Sequence, residues 1–463
     1  MAIVHLVEFT RSAESVASQH AGTPVASVCD MHRPSDKARS AFVLGSGIAG
    51  LSLAEILSRN GWKITLIDSE AGLGGDASRS TQNWLHTGWL YAGLPSASAM
   101  QGCATSLRLF RRIYGQVLPS SVVNVEADET GIEYPESKTE GWFSAERVHY
   151  AFAISSYDLS PLQKATWKRY LDYVLLRRLR GLGYPTDALT DLPAGLVELM
   201  AQWENDPEGH TKYRVVPSTD ARIDTKRVLS SLLSLLGRDT EVITNGEYEL
   251  VREGDRTHVR IGGTVHTPDL CILAAGKSIP ELLRGIGAGG LADDFKSVSS
   301  PIVVLRRALD LPNFIRFTPN LPETINHIKY DVAGTDVSTI GSYDFHPADR
   351  RPDISGFVEK VCRRLDVPTS DVIGSYYGTK TELTGKLARR YNHAVDAVNA
   401  NTYYAIAGKF SQFPLLVNEF AEKLGLRTDI RNDERGTLAM EIADTAPEGL
   451  ARAAGIHKKR HAA

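Results

Sequence analysis

The stretch SAFVLGSGIAG, residues 40–50, joins an apolar run to three closely spaced glycines. The apolar run predicts a buried strand, and the apolar repeat in LSLAEIL, residues 51–57, predicts a helix directly after it. Gly45 permits a tight turn, Gly47 lets the backbone come close to a pyrophosphate, and Gly50 lets the helix pack tightly on the strand. The order of strand, glycine turn and helix therefore predicts the start of a parallel sheet.

The segment after this helix extends the unit to a second strand. The helix pattern runs to about Arg59 and ends at Asn60-Gly61, a pair typical of helix C-termini. The strand WKITLID then ends in Asp68, about twenty residues beyond the glycines, where an acid binds the ribose of a dinucleotide. Free amides and the helix dipole favour the phosphates at the helix N-terminus. The sequence therefore predicts a dinucleotide-binding unit, for which NAD and FAD are both candidates.

The next segment, SEAGLGGDASRSTQNWLHTGWLYAG at residues 69–93, favours FAD. It is rich in small residues and then turns aromatic, whereas a simple NAD-dependent dehydrogenase is expected to continue into another helix. It resembles the flavin loop of the D-amino-acid oxidase-like FAD-dependent oxidoreductases, a superfamily with members that oxidise sarcosine, dimethylglycine, glycerol-3-phosphate or L-2-hydroxyglutarate. The family's small-residue run and its IHAG-like stretch beside the isoalloxazine correspond to Ala77-Ser78-Arg79-Ser80 and Leu85-His86-Thr87-Gly88.

Three later segments occur in the order found in this superfamily. YRVVPSTDARIDTKRVLSSLLSLLG, residues 213–237, is similar to the strand and helix that return the chain to the FAD-binding domain, with Asp224 as the helix cap. EVITNGEYELVREGDRTHVRIGGTVHTPDLCILAAGK, residues 241–277, reads as successive strands. NTYYAIAGKFSQFPLLVNEFAEKLG, residues 401–425, reads as a strand, a glycine turn and a helix. The resemblance implies that this helix points at the flavin C2 carbonyl, where its dipole stabilises negative charge on reduced flavin.

The resemblance covers most of residues 40–430 and implies a set of FAD-binding positions. Tyr248 corresponds to a residue that touches the adenine through its backbone. The complete predicted set is Gly45, Ser46, Gly47, Ile48, Ala49, Gly50, Asp68, Ser69, Ala77, Ser78, Arg79, Leu85, His86, Thr87, Tyr248, Ala274, Ala275, Gly276, Gly408, Lys409, Phe410, Ser411 and Gln412.

The predicted fold class is α/β (α+β overall), with a Rossmann-like FAD-binding domain of the glutathione-reductase type interleaved with an antiparallel-sheet substrate domain. Alternation and β-branched residues in SPIVVLRRALDL, NFIRFT, INHIKYDVAG and STIGSYDF predict the strands of that second sheet. The predicted division is an N-terminal arm at 1–39, FAD-binding parts at 40–115, 206–280 and 395–430, a helical insertion at 116–205, a substrate part at 281–394, and a C-terminal tail at 431–463.

His86 is the first candidate catalytic residue, because its loop is expected to lie near the flavin. In dimethylglycine-type enzymes a His in this region carries the flavin covalently, in hydroxy-acid enzymes it would be a non-covalent neighbour, and a structural role is equally open. His327 and His393 are alternatives on the expected substrate side. The aromatic residues Trp84, Trp89 and Tyr91 flank His86 and either wall a substrate or pack in the core.

Two lysines complete the predicted catalytic set. The segment GSYYGTKTELTGKLARRYNHAVD, residues 374–396, concentrates groups that bind anions, namely Tyr376, Tyr377, Lys380, Arg389, Arg390 and Tyr391. The family often has YxGxRP at this place, and YYGTKTE puts Lys380 where that Arg stands, so a bidentate clamp becomes a point charge. Lys380 could instead pair with Glu382. Lys409 lies in the turn at the expected flavin edge, where it either stabilises reduced flavin or superoxide or points to solvent.

Composition limits the other functions. The chain has 463 residues, a net charge of −3 and 42% hydrophobic residues, which predicts a globular protein without a surface for nucleic acids. The four cysteines are far apart and no CxxC pair occurs, so no metal site is predicted and reduced thiols in the cytoplasm are expected. No apolar stretch reaches membrane-spanning length and no signal peptide is recognised. Assembly as a homo-oligomer is left open.

The predicted function is that of an FAD-dependent oxidoreductase that takes a hydride from a C–N bond of an amine or amino-acid-derived small molecule to flavin N5. One alternative is an FAD-dependent oxidase or dehydrogenase of 2-hydroxy acids or alcohols, which needs a base for the hydroxyl proton. Alternatives of another class are an NAD-dependent dehydrogenase and a non-catalytic flavin-binding module.

Overall fold

A computed structural model describes residues 38–93, 97–127, 133–135, 141–155, 160–189, 195–204, 212–318, 320–332, 335–384, 392–430, 440 and 442–456. The predicted N-terminal arm, apart from its last two residues, lies outside these ranges. So do Arg389, Arg390 and Tyr391 of the predicted anion-binding segment.

Twenty strands occur in the described part of the chain. They are β1 Ser40–Leu44, β2 Lys63–Ile67, β3 Trp84–Leu85, β4 Val125–Ala127, β5 Glu133–Pro135, β6 Phe143–Ser155, β7 Lys212–Ile223, β8 Thr240–Ile243, β9 Tyr248–Glu253, β10 Arg256–Ile261, β11 Thr264–His266, β12 Leu270–Leu273, β13 Phe295–Leu305, β14 Asn313–Phe317, β15 Ile325–Val332, β16 Thr335–Ser342, β17 His346–Pro347, β18 Val372–Leu383, β19 Ala394–Asn399 and β20 Thr402–Ile406.

The α-helices of the described residues are α1 Ile48–Arg59, α2 Ser98–Leu109, α3 Pro161–Tyr170, α4 Leu176–Gly181, α5 Leu196–Glu204, α6 Thr225–Ser234, α7 Ile279–Gly285, α8 Gly289–Ala292, α9 Ser355–Leu365, α10 Phe413–Leu424 and α11 Ala446–Ala453. One π-helical turn, Phe110–Tyr114, continues α2, and another, Leu171–Leu175, joins α3 to α4. Short 3₁₀ turns are Trp89–Tyr91, Gly276–Ser278, Leu321–Glu323, Thr369–Asp371 and Phe410–Gln412.

The first large sheet has six strands in the order β19-β20-β12-β1-β2-β8. All neighbours are parallel except β19 and β20, which form an antiparallel pair. Every residue of α1 is buried, because α1 lies against β1 and β2 on one side and against α6 and α10 on the other. This burial matches the continuous apolar pattern of the βαβ unit, and it fixes the glycine turn at the carboxyl edge of the sheet.

The second large sheet has nine strands, in the order β17-β13-β16-β15-β14-β6-β7-β3 with β18 also paired to β13. Its strands are antiparallel except for the parallel pair of β14 and β6. Neighbouring residues point to opposite faces: Tyr150 and Ile315 pack with α3 and α4, whereas Ala151 and Phe314 pack with α5 and α9. The predicted fold class, a Rossmann-like domain interleaved with an antiparallel substrate sheet, is confirmed.

Four features of the described chain differ from the predictions made from the sequence. The segment 116–205, predicted as a helical insertion, also contains the long strand β6, and β18 was missed as a strand altogether. The strand β7, predicted with an FAD-binding part, pairs with β6 in the second sheet. Residues 442–456 of the predicted tail pack on the body, since α11 contacts β15 and β18. These placements depend on strand pairing between distant segments, which local patterns do not report.

Among the described residues, none of the helices has the length and apolar character needed to span a bilayer.

Candidate active site

The glycines around the turn between β1 and α1 have little or no room for side chains. Gly45 has φ of 102°, and a Cβ added there would lie 2.6 Å from the carbonyl oxygen of Ala274 in the neighbouring strand connection. A Cβ at Gly50 would collide with the carbonyl of Gly45, so the helix could not sit as close to the turn. The backbone at Gly45 and Gly47 is therefore exposed to a cleft and can approach a phosphate closely.

Asp68 braces this turn from the end of β2. Its Oδ2 accepts hydrogen bonds from the backbone N–H of Ser46 at 2.8 Å and from the Ser46 hydroxyl, while Oδ1 accepts from the N–H of Glu70 at 2.9 Å. The Ser46 hydroxyl in turn accepts from the N–H of Gly74 at 3.0 Å. The carboxylate also lines the cleft, and its predicted contact with a ribose stays a prediction.

The cleft at this edge of the six-stranded sheet has about 1150 Å³ of empty volume, part of which is open solvent. Most of the predicted cofactor residues line it, namely Gly45, Gly47, Ile48, Ala49, Asp68, Ser69, Ala77, Ser78, Tyr248, Ala274, Ala275, Gly276, Gly408, Lys409 and Phe410. The cleft is also lined by residues that were not predicted to bind the cofactor, including Gly74, Gly75, Asp76, Thr81, Lys277, Thr379 and Thr381, and by Lys380, which was predicted as a catalytic residue. The bare glycine backbone, the N-terminus of α1 and an acid at the end of β2 are the parts that hold a dinucleotide, and FAD fits this cleft.

The remaining predicted cofactor residues lie behind the cleft wall or beside it. Ser46 and Gly50 shape the glycine turn, and the carbonyl of Arg79 accepts from the N–H of Ala446 at 3.0 Å. Leu85 pairs with Ala221 in the second sheet. Gln412 donates its side-chain amide to the Cys103 thiol at 3.3 Å, and burial raises the pKa of that thiol to about 12. Their predicted contacts with FAD stay predictions.

The turn before α10 closes the far end of the cleft. Gly408 has φ of 67°, and a Cβ there would collide with the backbone of Asn392. The hydroxyl of the buried Ser411 accepts a hydrogen bond from the backbone N–H of His86 at 3.4 Å, which ties this turn to the flavin loop. Lys409 and Phe410 face the cleft at the end of the turn.

A second cleft of about 810 Å³ adjoins the first and opens under the nine-stranded sheet. Both clefts are lined by Thr81, Thr379, Lys380, Gly408, Lys409 and Phe410, so these six residues mark the junction between them. The residues that line only the second cleft include His86 and the aromatic or amide-bearing side chains of Gln82, Trp84, Tyr91, Asn326, Tyr343 and Phe345, together with serine, glycine and aliphatic residues. We call this second cleft the substrate chamber.

His86 sits in the chamber wall between two aromatic rings. Its ring is nearly parallel to that of Trp84 at a centroid distance of 6.2 Å, and it meets Tyr91 edge-on at 5.3 Å. The Nδ1 atom of His86 lies 3.8 Å from Oδ2 of Asp220, a fully buried carboxylate in β7. Asp220 was not among the predicted site residues, because nothing in PSTDARID, residues 217–224, shows that its strand passes behind the flavin loop.

The pKa of His86 is lowered. Burial is the main cause, Asp220 opposes the effect, and Lys409 and Lys380 add to it because two cations disfavour a third. The imidazole of His86 is therefore neutral at neutral pH, the form in which it can accept a proton.

The two predicted lysines share a buried acid at the junction. Lys380 Nζ lies 2.6 Å and Lys409 Nζ 3.8 Å from Oε1 of Glu382, whose side chain is 4% exposed. Lys380 also lies over the ring of Phe345, and Lys409 over the ring of Tyr91. Lys380 therefore pairs with Glu382, as the alternative prediction stated, and it also lines the substrate chamber.

The other candidate residues lie away from the described clefts. His327 is buried between the Pro312 carbonyl and the Ser338 hydroxyl, and burial lowers its pKa to about 4. His393 pairs with Glu419 at 3.0 Å. These contacts give both histidines structural roles.

The remaining aromatic candidates have separate hydrogen bonds. Trp89 is buried and donates its indole N–H to Thr219 at 3.2 Å. The hydroxyl of Tyr377 donates to the Pro352 carbonyl at 2.9 Å, and that of Tyr376 to the Thr81 carbonyl at 3.4 Å. Trp84 and Tyr91 are therefore the two flanking aromatic residues that face the substrate chamber.

The geometry of two adjoining clefts agrees with a comparison against known families. The model of the DAO family, described as FAD dependent oxidoreductase, matches residues 40–406. The chain belongs to this family. It is therefore an FAD-dependent oxidoreductase, and FAD rather than NAD is its cofactor. A comparison with curated protein sequences found no match.

Several solved structures have the same fold as this chain although their sequence identity to it is low. The L-alpha-glycerophosphate oxidase from Mycoplasma pneumoniae, with FAD bound, is 14% identical with a TM-score of 0.60, covering 87% of this chain and 98% of that one. Glycine oxidase from Geobacillus kaustophilus is 14% identical with a TM-score of 0.56, covering 92% and 99%. Iminodiacetate oxidase from Chelativorans sp. BNC1 is 15% identical with a TM-score of 0.57, covering 86% and 98%.

Proposed function

We propose that this FAD-dependent oxidoreductase oxidises a C–N bond in a small amine that also carries an anionic group, as an amino-acid derivative does. The observation that carries the proposal is the position of Lys380 and Lys409 at the junction of the cofactor cleft and the substrate chamber. An anionic group bound at these lysines brings the neighbouring carbon to the same junction. The lysine at 380 attracts a carboxylate as a point charge and does not form the two parallel hydrogen bonds of an arginine.

The chamber provides proton acceptors next to this junction. An amine gives up a hydride as the free base, so its ammonium proton must leave first. His86 is neutral at neutral pH, and the pKa of Lys409 is lowered to about 7, chiefly by burial and by the nearby Lys380. Either group can take the proton when it is uncharged, so Lys409 serves as the acceptor only where Lys380 alone holds the anionic group, while bound FAD supplies the acceptor for the hydride.

The aromatic walls favour a substrate with an apolar part. Trp84, Tyr91, Tyr343 and Phe345 surround the chamber, and Phe345 is 44% exposed at its edge. Flat aromatic surfaces contribute contact area and exclude water from the reacting carbon. Two of the solved structures with this fold are named for amine substrates, glycine and iminodiacetate, which agrees with the proposal.

A second candidate function is the oxidation of a 2-hydroxy acid. It is favoured by the contact between His86 and Asp220, since a hydroxyl must lose its proton to a base as the hydride leaves. The anionic group of a hydroxy acid would use the same two lysines.

The test is anaerobic bleaching of the bound flavin. The purified yellow protein is mixed with glycine, N-methylglycine, proline and phenylalanine, with the matching 2-hydroxy acids, and with amines that lack a carboxylate. We expect bleaching by a carboxylate-bearing amine. Lys380→Met should raise KM about 10- to 100-fold, since one charged hydrogen bond is lost, and Lys380→Arg should retain most of the affinity. Bleaching by hydroxy acids alone would select the second candidate, and equal bleaching by amines without a carboxylate would contradict both.

A further inference from the structure

Asp220 is the centre of a buried hydrogen-bond network behind the substrate chamber. Its Oδ1 accepts from the backbone N–H of Thr87 at 2.7 Å and from the Thr87 hydroxyl at 2.6 Å. Its Oδ2 accepts from the Tyr150 hydroxyl at 2.7 Å, and its own N–H donates to the Ser218 hydroxyl at 3.1 Å. A carboxylate without solvent contact is costly unless it is hydrogen-bonded, and these three donors hold both oxygens in place.

His86 turns one ring nitrogen toward this network. Its Nδ1 is shielded from solvent, has no hydrogen-bond partner among the described residues, and lies 3.8 Å from Oδ2 of Asp220. A proton on Nδ1 is attracted by that carboxylate, whereas a lone pair on Nδ1 would face it and be repelled. The favoured neutral form of His86 therefore carries its proton on Nδ1 and leaves Nε2 as the acceptor.

We propose that Asp220 is a positioning residue, which holds His86 in the Nδ1–H form so that Nε2 accepts the substrate proton, and that Tyr150 moderates its pull by occupying the same oxygen. The proton moves from the substrate nitrogen or hydroxyl to Nε2 of His86, and FAD, when bound, would supply the acceptor for the hydride. The catalytic part of this inference rests on the proposed function, whereas the choice of ring nitrogen is independent of it.

Substitutions at Tyr150 and at Asp220 are expected to change the pKa of His86 in opposite directions. Removing the Tyr150 hydroxyl frees Oδ2 to attract His86 more strongly, which should raise the pKa of His86. Replacing Asp220 by asparagine removes the negative charge and offers an N–H to Nδ1, which should lower that pKa and shift the proton to Nε2. Lys409 and Lys380 also act on His86, and Tyr91 touches its ring edge, so these groups are left unchanged in both variants.

The first experiment reads the ring directly in the FAD-loaded enzyme. Histidine labelled with ¹⁵N is followed by NMR across pH, and His86→Gln identifies the His86 signals. We expect the Nδ1–H form in the wild type and in Tyr150→Phe, with the higher pKa in Tyr150→Phe, and the Nε2–H form in Asp220→Asn. An Nε2–H form in the wild type, or an unchanged pKa in Tyr150→Phe, would overturn the proposal even if Asp220→Asn failed to fold.

The second experiment measures flavin reduction by a substrate found in the bleaching screen. Asp220→Asn should slow reduction by on the order of 10²–10⁴-fold with little change in KM, as expected for loss of an oriented general base. Asp224→Asn is the matched control, because Asp224 lies just beyond β7 and caps α6, a role that asparagine also performs. If Asp220→Asn moved the proton of His86 to Nε2 but left the rate of flavin reduction unchanged, only the claim that Nε2 accepts the substrate proton would be refuted. If no compound bleaches the flavin, the proposed function fails and the NMR result still decides the role of Asp220.

Discussion

At the scale of single residues, the junction of the two clefts is organised by Lys409. Its side chain is 10% exposed, it lies near Lys380 and Glu382, and its pKa is lowered to about 7. Burial disfavours the charged amine, the neighbouring Lys380 adds repulsion, and Glu382 opposes both. The charged form of Lys409 therefore lowers the free energy of unfolding, and the size of this destabilisation depends on pH.

We predict that Lys409→Met changes the pH dependence of stability. In the unfolded chain Lys409 titrates near its ordinary pKa of 10.5, and in the folded protein near 7. Between these values the unfolded chain binds more protons, so the free energy of unfolding of the wild type decreases as the pH falls from 10.5 to about 7. Lys409→Met lacks this contribution. As the pH falls from 10.5 to about 7, the free energy of unfolding of the variant should therefore increase relative to that of the wild type, and the difference should level off below pH 7.

Urea unfolding at a series of pH values measures this difference. The exposed Lys63 at the start of β2 provides the control, because Lys63→Met should give a curve parallel to that of the wild type. A curve for Lys409→Met that is parallel as well would show that Lys409 keeps an ordinary pKa in the folded protein.

At the scale of elements, the strand-turn-helix unit depends on a backbone that side chains would block. We predict that Gly45→Ala loses FAD, because φ of 102° is unfavourable for alanine and the added Cβ would press against the Ala274 carbonyl. Gly61→Ala is the matched control. Gly61 has φ of 78° at the end of the same helix, but an added Cβ would meet nothing within 4 Å.

The FAD content of each purified variant and its thermal midpoint separate the two effects. Gly61→Ala should lose about 1 kcal/mol of stability and retain its flavin. Gly45→Ala should lose more stability and most of its flavin. Full FAD content in Gly45→Ala would contradict the view that a close backbone approach at this turn holds the cofactor.

At the scale of the whole molecule, the segment 442–456 joins the two large sheets through the flavin loop. The N–H of Ala443 donates to the Leu73 carbonyl at 3.0 Å, and Thr445 accepts a hydrogen bond at 3.0 Å from the hydroxyl of Tyr330, which lies in β15 of the second sheet. Leu73, the residue contacted on the cofactor side, belongs to the flavin loop, and the neighbouring Gly74 and Gly75 line the cleft. We therefore expect this segment to hold the loop against the cofactor.

Deleting residues 442–463 is predicted to weaken FAD binding at least tenfold, because each lost backbone contact to the loop contributes on the order of 1 kcal/mol. The measurement is FAD release on dilution, followed by flavin fluorescence. Lys226→Met serves as the control, since it removes the 2.6 Å ion pair of Asp444 with α6 and leaves the loop contacts in place. Equal FAD affinity in the deleted and full-length proteins would show that the loop keeps its form without the segment.

The local sequence was sufficient to predict the cofactor and most of the residues that line its cleft. The glycines of GSGIAG, Asp68 at the end of β2 and the turn before α10 act through backbone geometry close to them in the chain, and their order predicted both the family and FAD. Most of the residues predicted to bind FAD line the first cleft. The strands of the second sheet that alternate clearly were also predicted, whereas β6 and β18 were not.

The substrate side was decided by tertiary structure. Asp220 reaches His86 because β3 pairs with β7, and Glu382 reaches Lys409 because β18 pairs with β13 and carries it to the turn before α10. The first pairing joins residues more than a hundred positions apart and the second joins residues 67 to 88 positions apart, and their register follows from packing across whole sheets. The amino-acid sequence by itself therefore determined the cofactor and the class of enzyme. The positions and protonation of the groups that face the substrate were decided only in the fold, since charge interactions depend on burial and distance.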